Sequence, residues 1–282
     1  MLQMNCFRDY LMHVIPKKIH YVWVGNKPKP QFVMDYIATW KKHLPDYEII
    51  EWDNKKFEII NNKYAKEAFD NEQWAFVSDY IRLYALYHEG GIYLDTDVEI
   101  TNSFDRFLNL DFFSCHEFYN NNCWPITSAV MGARKNNQIV GDLIEIYDNL
   151  PFKTKQGLDL TANTQRITKY LETRFNIRPV YDKDSKLKLS DKEIIFPSYY
   201  FCAREENKMN FSIHHFSGSW LPSHSRKDKI NIFDKLILSR FIKIHDSGDM
   251  PLQNTEKVIF KIKISKNKQY VILFRQRFMA RS

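Results

Sequence analysis

The pattern of apolar and polar positions in the first hundred residues alternates between short apolar runs and helical spacing. Apolar runs at 19–24 and 47–52 predict buried strands, and a third at 92–94 predicts a strand that ends at Asp95-Thr96-Asp97. Residues 31–43 and 71–88 carry apolar side chains at steps of three and four, which predicts helices, and Gly90-Gly91 ends the second one. This order predicts an α/β fold, in which ligands bind at the carboxyl ends of the strands.

The second half of the chain continues this pattern and then changes in character. Residues 129–132 and 193–196 predict strands, and residues 139–150 and 160–175 predict helices. Residues 212–216 lead into Ser217-Gly218-Ser219-Trp220. After Pro222 the chain is basic and rich in Ile and Phe; we interpret 230–244 as a basic amphipathic helix and 257–274 as a hairpin. The sequence therefore predicts a main domain over 1–225 and a C-terminal region over 226–282.

The charge of the chain is concentrated at one end. The net charge is +7, but residues 226–282 hold 14 Lys and Arg against five Asp and Glu, whereas the first 225 residues hold 27 against 29. This distribution indicates either a surface that contacts an anionic partner or a solvated Lys-rich face. The basic residues show little aromatic interleaving and no recognisable binding motif, which argues against a nucleic-acid partner.

The four cysteines, at positions 6, 115, 123 and 202, have no metal-ligand spacing. The N-terminal residues do not form a signal peptide, and no apolar run approaches the length of a membrane span. We therefore expect a cytoplasmic protein with reduced thiols, either soluble or peripheral on the inner face of the cell membrane.

Two acidic residues at a strand end are the main chemical feature. Asp95 and Asp97 can reach one divalent cation where the strand turns, and a cation there can stabilise the charge left on a diphosphate. The alternative is a polar turn that caps the strand. On the preceding predicted helix, Asp79 and Arg82 are three residues apart and so share a face. They form either a simple ion pair or a site in which Arg82 binds phosphate and Asp79 accepts from a sugar hydroxyl.

Three separated blocks carry a resemblance to a known family. SDYIR followed by LYALYHEGGIYLDTDVE, the opening IPKKIHYVWVGNKPKP and the closing IHHFSGSW resemble the DXD-motif sugar transferases, glycosyltransferase family 32. More distantly they resemble the catalytic domains of the large clostridial glucosylating toxins. The match covers roughly residues 15–222. It implies a GT-A-type nucleotide-sugar-binding fold, with a mixed central sheet flanked by helices, over 1–225. The basic appendage over 226–282 lies outside the match, and its charge and apolar residues lead to the separate hypothesis that it contacts an anionic membrane.

The resemblance also implies roles for single residues. The nucleotide base and ribose would contact Val22, Trp23 and Tyr93, and the donor sugar would contact Asp79 and Arg82. Asp95 and Asp97 would hold the metal together with one histidine, and we favour His215 over His214 because of its spacing from the Trp that follows. The leaving diphosphate would contact Trp220 with Ser217 or Ser219.

One segment departs from the family pattern. Thr161–Gln165 replaces a Thr-Gly-Pro-like sequence. Asn163 in this segment either faces the donor sugar or acceptor, or is a polar residue in the first turn of a helix.

Taken with the resemblance, these residues predict a metal-dependent, retaining hexosyltransferase. The expected cofactors are Mn²⁺ or Mg²⁺ and a nucleotide-sugar donor, with a UDP-sugar favoured over GDP-mannose. The expected acceptor is a lipid-linked oligosaccharide or another glycan of capsular, lipopolysaccharide or exopolysaccharide synthesis. The alternatives are a toxin-like transferase with a protein acceptor and, less favoured, a haloacid-dehalogenase-like phosphatase.

Overall fold

The computed structural model describes residues 14–58, 60–119, 122–155 and 157–217, and the strands within 230–275. The chain forms two compact units, one ending at His214 and the other starting at His215. The predicted boundary at residue 225 lies outside the described residues.

The first unit contains one large sheet and three small two-stranded ones. Its strands, numbered along the chain, are β1 (Lys18–Val22), β2 (Glu48–Trp52), β3 (Gly91–Leu94), β4 (Val98–Ile100), β5 (Phe112–Cys115), β6 (Glu117–Tyr119), β7 (Asn122–Trp124), β8 (Val130–Ala133), β9 (Lys153–Thr154), β10 (Gly157–Leu158), β11 (Leu187–Lys188), β12 (Glu193–Phe196) and β13 (Ser212–His214). The large sheet has seven strands in the order β11-β12-β5-β8-β3-β1-β2. The small sheets pair β4 with β13, β6 with β7, and β9 with β10.

The sheet is mixed, and most of its strands end at the same edge. β1, β2, β3, β5 and β12 run in one direction, and β8 and β11 run in the other. The carboxyl ends of β3 and β5 and the amino end of β8, which lies between them, therefore meet at one edge. This edge is where an α/β sheet binds ligands.

Seven α-helices accompany these strands in the described part of the chain, with a short 3₁₀ turn at Asp105–Phe107. They are α1 (Gln31–His43), α2 (Asn54–Glu58), α3 (Lys63–Asp70), α4 (Trp74–Glu89), α5 (Gln138–Asp148), α6 (Asn163–Phe175) and α7 (Ser198–Phe201). Among these, α4 carries nine buried residues, including the charged Asp79 and Arg82. A helix with so wide a buried surface lies inside the domain, so its polar residues are expected to be paired.

Two glycines allow the chain to pass from α4 into β3. Gly90 and Gly91 have φ of 68° and 115°, in the left-handed region that residues with a Cβ rarely adopt. A Cβ on Gly91 would also lie 2.8 Å from the Lys18 carbonyl oxygen of β1. The tight turn sets how α4 faces the end of β3, and so how Asp79 and Arg82 face the two aspartates.

The predicted mixed sheet flanked by helices is confirmed, and α1 has the predicted bounds. The other predicted helices and strands of the first unit occur within a few residues of their predicted ends. The prediction of an amphipathic helix over 230–244 is wrong. That stretch contains β14 (Ile230–Phe233) and β15 (Leu236–Phe241), which fits the strand preference of its β-branched and aromatic residues.

The second unit contains a four-stranded antiparallel sheet in the order β14-β15-β17-β16. Its other two strands are β16 (Glu256–Ser265) and β17 (Lys268–Arg275), so the hairpin predicted near 257–274 is confirmed. Of the helices that the structure describes, none combines the length and the apolar character needed to cross a bilayer.

Candidate active site

The Asp95-Thr96-Asp97 segment forms the turn between β3 and β4. The Val98 N–H donates to the Asp95 carbonyl at 3.1 Å, which closes the turn, and the Asp95 N–H donates to the Ala129 carbonyl at 2.9 Å. These bonds fix the backbone, so the directions of the two carboxylates are set by the fold. The turn that the sequence predicts at this strand end is present.

A histidine completes a cluster of potential metal ligands. β13 pairs with β4 so that His214 lies opposite Val98, the residue that follows Asp97. One ligand atom each from Asp95, Asp97 and His214 lies within 4.8 Å of the others. Asp97 and His214 are buried, whereas the side chain of Asp95 is 27% exposed, so the cluster opens to solvent on the Asp95 side.

The histidine in this cluster is His214 and not the His215 that the sequence analysis favours. Strand pairing explains the difference, because His214 is the last residue of β13 and lies next to the turn, whereas His215 follows the strand. The spacing from the following Trp, on which the choice of His215 depends, does not capture this pairing. His214 Nε2 lies 3.4 Å from Asp97 Oδ1. Burial lowers the pKa of His214, but Asp97 and Cys202 together outweigh burial and leave that pKa well above its usual range.

Arg82 connects the buried helix to this cluster. Its Nη2 lies 2.9 Å from Asp79 Oδ1 and 3.3 Å from Asp95 Oδ1, and its Nη1 donates to the Ser128 carbonyl at 2.6 Å. The Arg82 side chain is only 4% exposed. The Asp79–Arg82 pair is therefore more than a surface ion pair within one helix; it is a buried bridge from α4 to the acidic turn. Removing one member of such a pair leaves an uncompensated buried charge, which costs about 3–5 kcal/mol.

Tyr93 contacts both Arg82 and Asp95. The Arg82 guanidinium lies 4.6 Å from the centre of the Tyr93 ring, and the Tyr93 hydroxyl donates to Asp95 Oδ1 at 2.8 Å. The residue is fully buried within β3. Tyr93 thus orients Asp95 and Arg82, and its predicted contact with a ribose stays a prediction.

Asp79 has a perturbed ionisation. Burial raises its pKa to about 6, and Asp95 raises it as well, while Arg82 and Arg166 oppose the rise. Burial destabilises the charged form of this carboxylate. Hydrogen bonds donated by a ligand would stabilise that charged form, so Asp79 is suited to accept them.

Asn163 lies at the start of α6 and is 3% exposed. The Tyr147 hydroxyl donates to its side-chain oxygen at 2.9 Å. Its amide Nδ2 has no hydrogen-bond partner among the described residues. Asp79 raises the pKa of Tyr147 after the larger effect of burial, which indicates that the two residues are close. Asn163 is thus both a first-turn residue and a polar group near Asp79, and the two interpretations in the sequence analysis do not exclude each other.

The predicted base-binding residues lie where β1 ends. Val22 is buried as the last residue of β1, and Trp23 is half-buried, with its indole N–H donating to the Lys27 carbonyl at 2.9 Å. Both lie at the edge that carries the acidic turn. Ser219 and Trp220 lie outside the described residues, and Ser217 is exposed.

Glu117 is a further acidic residue near the site that the sequence did not predict; it is half-buried and begins β6, two residues after β5 ends. Thr127 donates to its carboxylate at 3.1 Å. Burial raises the pKa of Glu117, and the charges of His214, Asp95 and Arg82 act on that pKa as well. Its signal in the sequence is an acidic residue just after the apolar run FFSC, but that run was not predicted as a strand.

Comparison with known proteins agrees with this geometry. Residues 30–113 match the family described as "Glycosyltransferase sugar-binding region containing DXD motif", and this span contains Asp79, Arg82, Tyr93, Asp95 and Asp97. The predicted resemblance to DXD-motif sugar transferases is therefore confirmed.

Two curated relatives share parts of the chain. "Subversion of eukaryotic traffic protein A" of Legionella pneumophila is 32% identical over 111 residues, covering 30% of this chain and 17% of that protein. "Inositol phosphoceramide mannosyltransferase 3" of Schizosaccharomyces pombe is 29% identical over 143 residues, covering 49% and 37%. The chain thus spans well under two thirds of the length of either relative. Among solved structures, PaToxG glycosyltransferase aligns with a TM-score of 0.43 and 18% identity, covering 61% of this chain and 77% of that one.

Proposed function

We propose, from the premise that residues 30–113 form the DXD-containing sugar-binding region of a glycosyltransferase, that the chain transfers a hexose or N-acetylhexosamine from a nucleotide sugar to a glycan. The observation that carries the proposal is the cluster of Asp95, Asp97 and His214, which Arg82 joins to Asp79. The cluster lies at the carboxyl end of β3, where α/β sheets bind phosphate-containing ligands.

The three side chains of the cluster fit a divalent cation. Two carboxylates and an imidazole suit Mn²⁺, and Mg²⁺, which prefers oxygen ligands, is the alternative. Asp95, Asp97 and His214 would hold the ion. When bound, the cation supplies positive charge that stabilises a departing diphosphate.

The chain's own residues would bind and orient the donor. Asp79 accepts hydrogen bonds from hydroxyl groups of the donor sugar, and the Asn163 Nδ2 donates to the same sugar. Arg82 is held in place by Ser128, Asp79 and Tyr93 before any ligand binds, so its positive charge needs no rearrangement during the reaction. Val22 and Trp23 contact the base.

The proposed transfer retains the configuration of the anomeric carbon. The bond from that carbon to the phosphate oxygen breaks, and the acceptor oxygen bonds to the carbon from the same face. The acceptor proton passes to the departing phosphate oxygen. An NMR time course of the product should show the donor's anomeric configuration, and an inverted linkage would contradict this route.

The donor and the acceptor are proposed from the sequence resemblance and from the names of the relatives. A UDP-sugar is favoured by the sequence resemblance to the glucosylating toxins, and the name of the yeast relative, a mannosyltransferase, adds GDP-mannose to the donors to be tested. We propose a lipid-linked oligosaccharide of surface-polysaccharide synthesis as the acceptor. A protein acceptor is the second candidate, favoured by the name of the Legionella relative, which refers to the subversion of eukaryotic traffic. The basic segment 226–282 would bring the enzyme to an anionic membrane surface.

The charged partners of the acidic turn favour a transferase over a phosphatase of the haloacid-dehalogenase type. That class needs a lysine near its acidic motif. In the described residues, the ion pairs of Asp95 and Asp97 are with Arg82 and His214.

Nucleotide release from a panel of UDP- and GDP-sugars tests the proposal. We expect one donor to be hydrolysed slowly with Mn²⁺ and not with EDTA. Asp97→Ala should lower that rate by at least about a hundredfold, since a group that stabilises the leaving charge is lost. Asp35→Ala, which changes an exposed aspartate on α1, is the matched control and should retain the rate. Release from none of the donors, or near-normal release by Asp97→Ala, would contradict the proposal.

A further inference from the structure

The β6–β7 hairpin has two chemically different faces. Its register places Glu117 opposite Trp124, Phe118 opposite Cys123, and Tyr119 opposite Asn122. Directly opposed residues share a face of the ladder, and successive residues alternate between faces. One face therefore carries Glu117, Tyr119, Asn122 and Trp124, and the other carries Phe118 and Cys123. We call the first the outer face.

The Phe118 side of the hairpin packs against the domain. The Lys183 ammonium lies 5.4 Å from the centre of the Phe118 ring, and the thiol of Cys202, just after α7, lies 4.0 Å from the Phe118 carbonyl oxygen. Burial raises the pKa of the Cys123 thiol to about 11. Phe118 and Cys123 are half-buried, so these contacts cover part of this side of the hairpin.

The outer face is only partly covered. Glu117, Tyr119 and Trp124 are half-buried, and Asn122 is exposed. It thus presents two aromatic rings with a carboxylate at one end and an amide at the other. Trp and Tyr rings offer flat apolar surfaces with a polar edge, and carboxylate and amide groups bind hydroxyl groups.

One end of the outer face adjoins the candidate active site. Glu117 is held by Thr127, and the carbonyl of the next residue, Ser128, accepts from Arg82. His214, Asp95 and Arg82 are also near enough for their charges to act on Glu117. The face therefore starts at the acidic turn and leads away from it along the hairpin.

We propose that the outer face is the acceptor subsite, where a sugar ring stacks on Trp124 and Tyr119 while the Glu117 carboxylate accepts a hydrogen bond from a sugar hydroxyl. This inference rests on the proposed function and assigns the acceptor side, which the DXD region does not reach. A carbohydrate fits better than a lipid tail, because an acyl chain on this face would exclude water from the Glu117 carboxylate and offer it no hydrogen bond. Residues two apart on a strand are about 7 Å apart, so Glu117 and Tyr119 can contact one ring.

The experiment compares transfer with hydrolysis in the full chain. The donor that the wild type hydrolyses is supplied with Mn²⁺ and with p-nitrophenyl glycosides of glucose, galactose, N-acetylglucosamine and mannose, and the ratio of glycoside-dependent to glycoside-independent nucleotide release is measured. We expect one glycoside to stimulate release by the wild type. Trp124→Ala and Glu117→Gln should each lower the ratio by at least about tenfold, equivalent to about 1.4 kcal/mol of lost binding. Trp124→Tyr should restore much of it, because a stacking ring is kept.

Two further variants make the result specific. Tyr119→Ala tests the second ring if Trp124→Ala fails to fold, as judged by thermal unfolding. Phe32→Ala removes an exposed aromatic ring from α1 and should leave the ratio unchanged. Unchanged ratios in the hairpin variants would overturn the inference, and so would a wild type that hydrolyses its donor but responds to no glycoside and glycosylates only protein. Hydrolysis of no donor would contradict the proposed function, and the inference with it.

Discussion

At the scale of single residues, two adjacent histidines provide a sharp test of the metal site. His214 joins Asp95 and Asp97 in the cluster, and His215 does not belong to it. We expect His214→Gln to weaken Mn²⁺ binding in the presence of UDP by at least about tenfold, because losing even an indirect support of a metal ligand has an effect of that size. His215→Gln should change the affinity little. Calorimetric titration with Mn²⁺ measures both, and an equal loss in the two variants, or the reverse order, would contradict the assignment.

Asp79 predicts a pH dependence of stability. Its pKa is about 6 in the folded protein and about 3.9 in an unfolded chain, so the folded state binds more protons between these values. The contribution of Asp79 to stability is therefore fully present below pH 4 and is lost as the pH rises through 6. The loss is on the order of 3 kcal/mol for a shift of this size.

Urea unfolding of the wild type and Asp79→Asn across pH 4.5–7.5 isolates this contribution, because other titrating groups cancel in the difference. Relative to the variant, the wild type should become less stable as the pH increases. A difference that is constant with pH, or that changes in the opposite direction, would show that Arg82 neutralises the burial of Asp79 completely. The expected result would mean that the ionised Asp79 carboxylate lowers the stability of the folded state at neutral pH, as expected of a group kept for binding.

At the scale of elements, local patterns predicted those parts of the fold in which periodicity was strong. Helix α4 could be found from apolar steps of three and four, and its end from Gly90-Gly91. The local spacing also predicts the acidic turn after β3 and the shared helix face of Asp79 and Arg82. These features depend on residues near one another in the chain, where spacing determines geometry.

Features that depend on pairing between distant segments could not be predicted in this way. His214 reaches the acidic turn through the pairing of β13 with β4, and Glu117 is positioned by the pairing of β6 with β7. In the segment 230–244, the same apolar residues suit a helix by position and a strand by propensity. The strand pairing of β14 with β15, and of β15 with β17, decides between them.

The packing of β8 against β5 gives a prediction at this scale. A Cβ added to Gly132 would lie 2.1 Å from Cε1 of Phe113, a buried ring surrounded by Phe104, Phe107 and Phe201. Because neither the strand nor the ring cluster has room to shift, Gly132→Ala should lower the free energy of unfolding by at least about 1–3 kcal/mol.

Gly141→Ala is the matched control for Gly132→Ala. Its Cβ would meet the edge of the half-buried Tyr87 ring at 2.9 Å, and alanine is favoured over glycine in a helix by about 1 kcal/mol. We therefore expect a much smaller change in urea unfolding. Equal effects of the two substitutions would mean that the aromatic rings around Phe113 can rearrange.

At the scale of the whole molecule, the charge is separated between two parts of the sequence. The first 225 residues are close to neutral, and residues 226–282 carry an excess of nine positive charges. The strands found in this basic part remove the amphipathic helix as the reason for membrane contact, but they leave the charge. An electrostatic surface contact is worth about 1 kcal/mol for each Lys or Arg near an anionic bilayer, whatever the secondary structure that carries it.

The final prediction follows from this charge. Replacing five lysines of the basic part by glutamine should weaken cosedimentation with phosphatidylserine-containing vesicles by well over about tenfold at low salt. These lysines are Lys257, Lys261, Lys263, Lys266 and Lys268. The wild type should also be released as salt increases, because screening shortens the range of the attraction.

The matched control replaces five exposed lysines of the first unit, namely Lys41, Lys42, Lys55, Lys63 and Lys66, and lowers the net charge equally. If both sets of substitutions weaken binding alike, the net charge of the protein rather than its C-terminal part attracts the membrane. If neither set weakens binding, or if the protein binds phosphatidylcholine vesicles equally well, the proposed membrane contact is wrong.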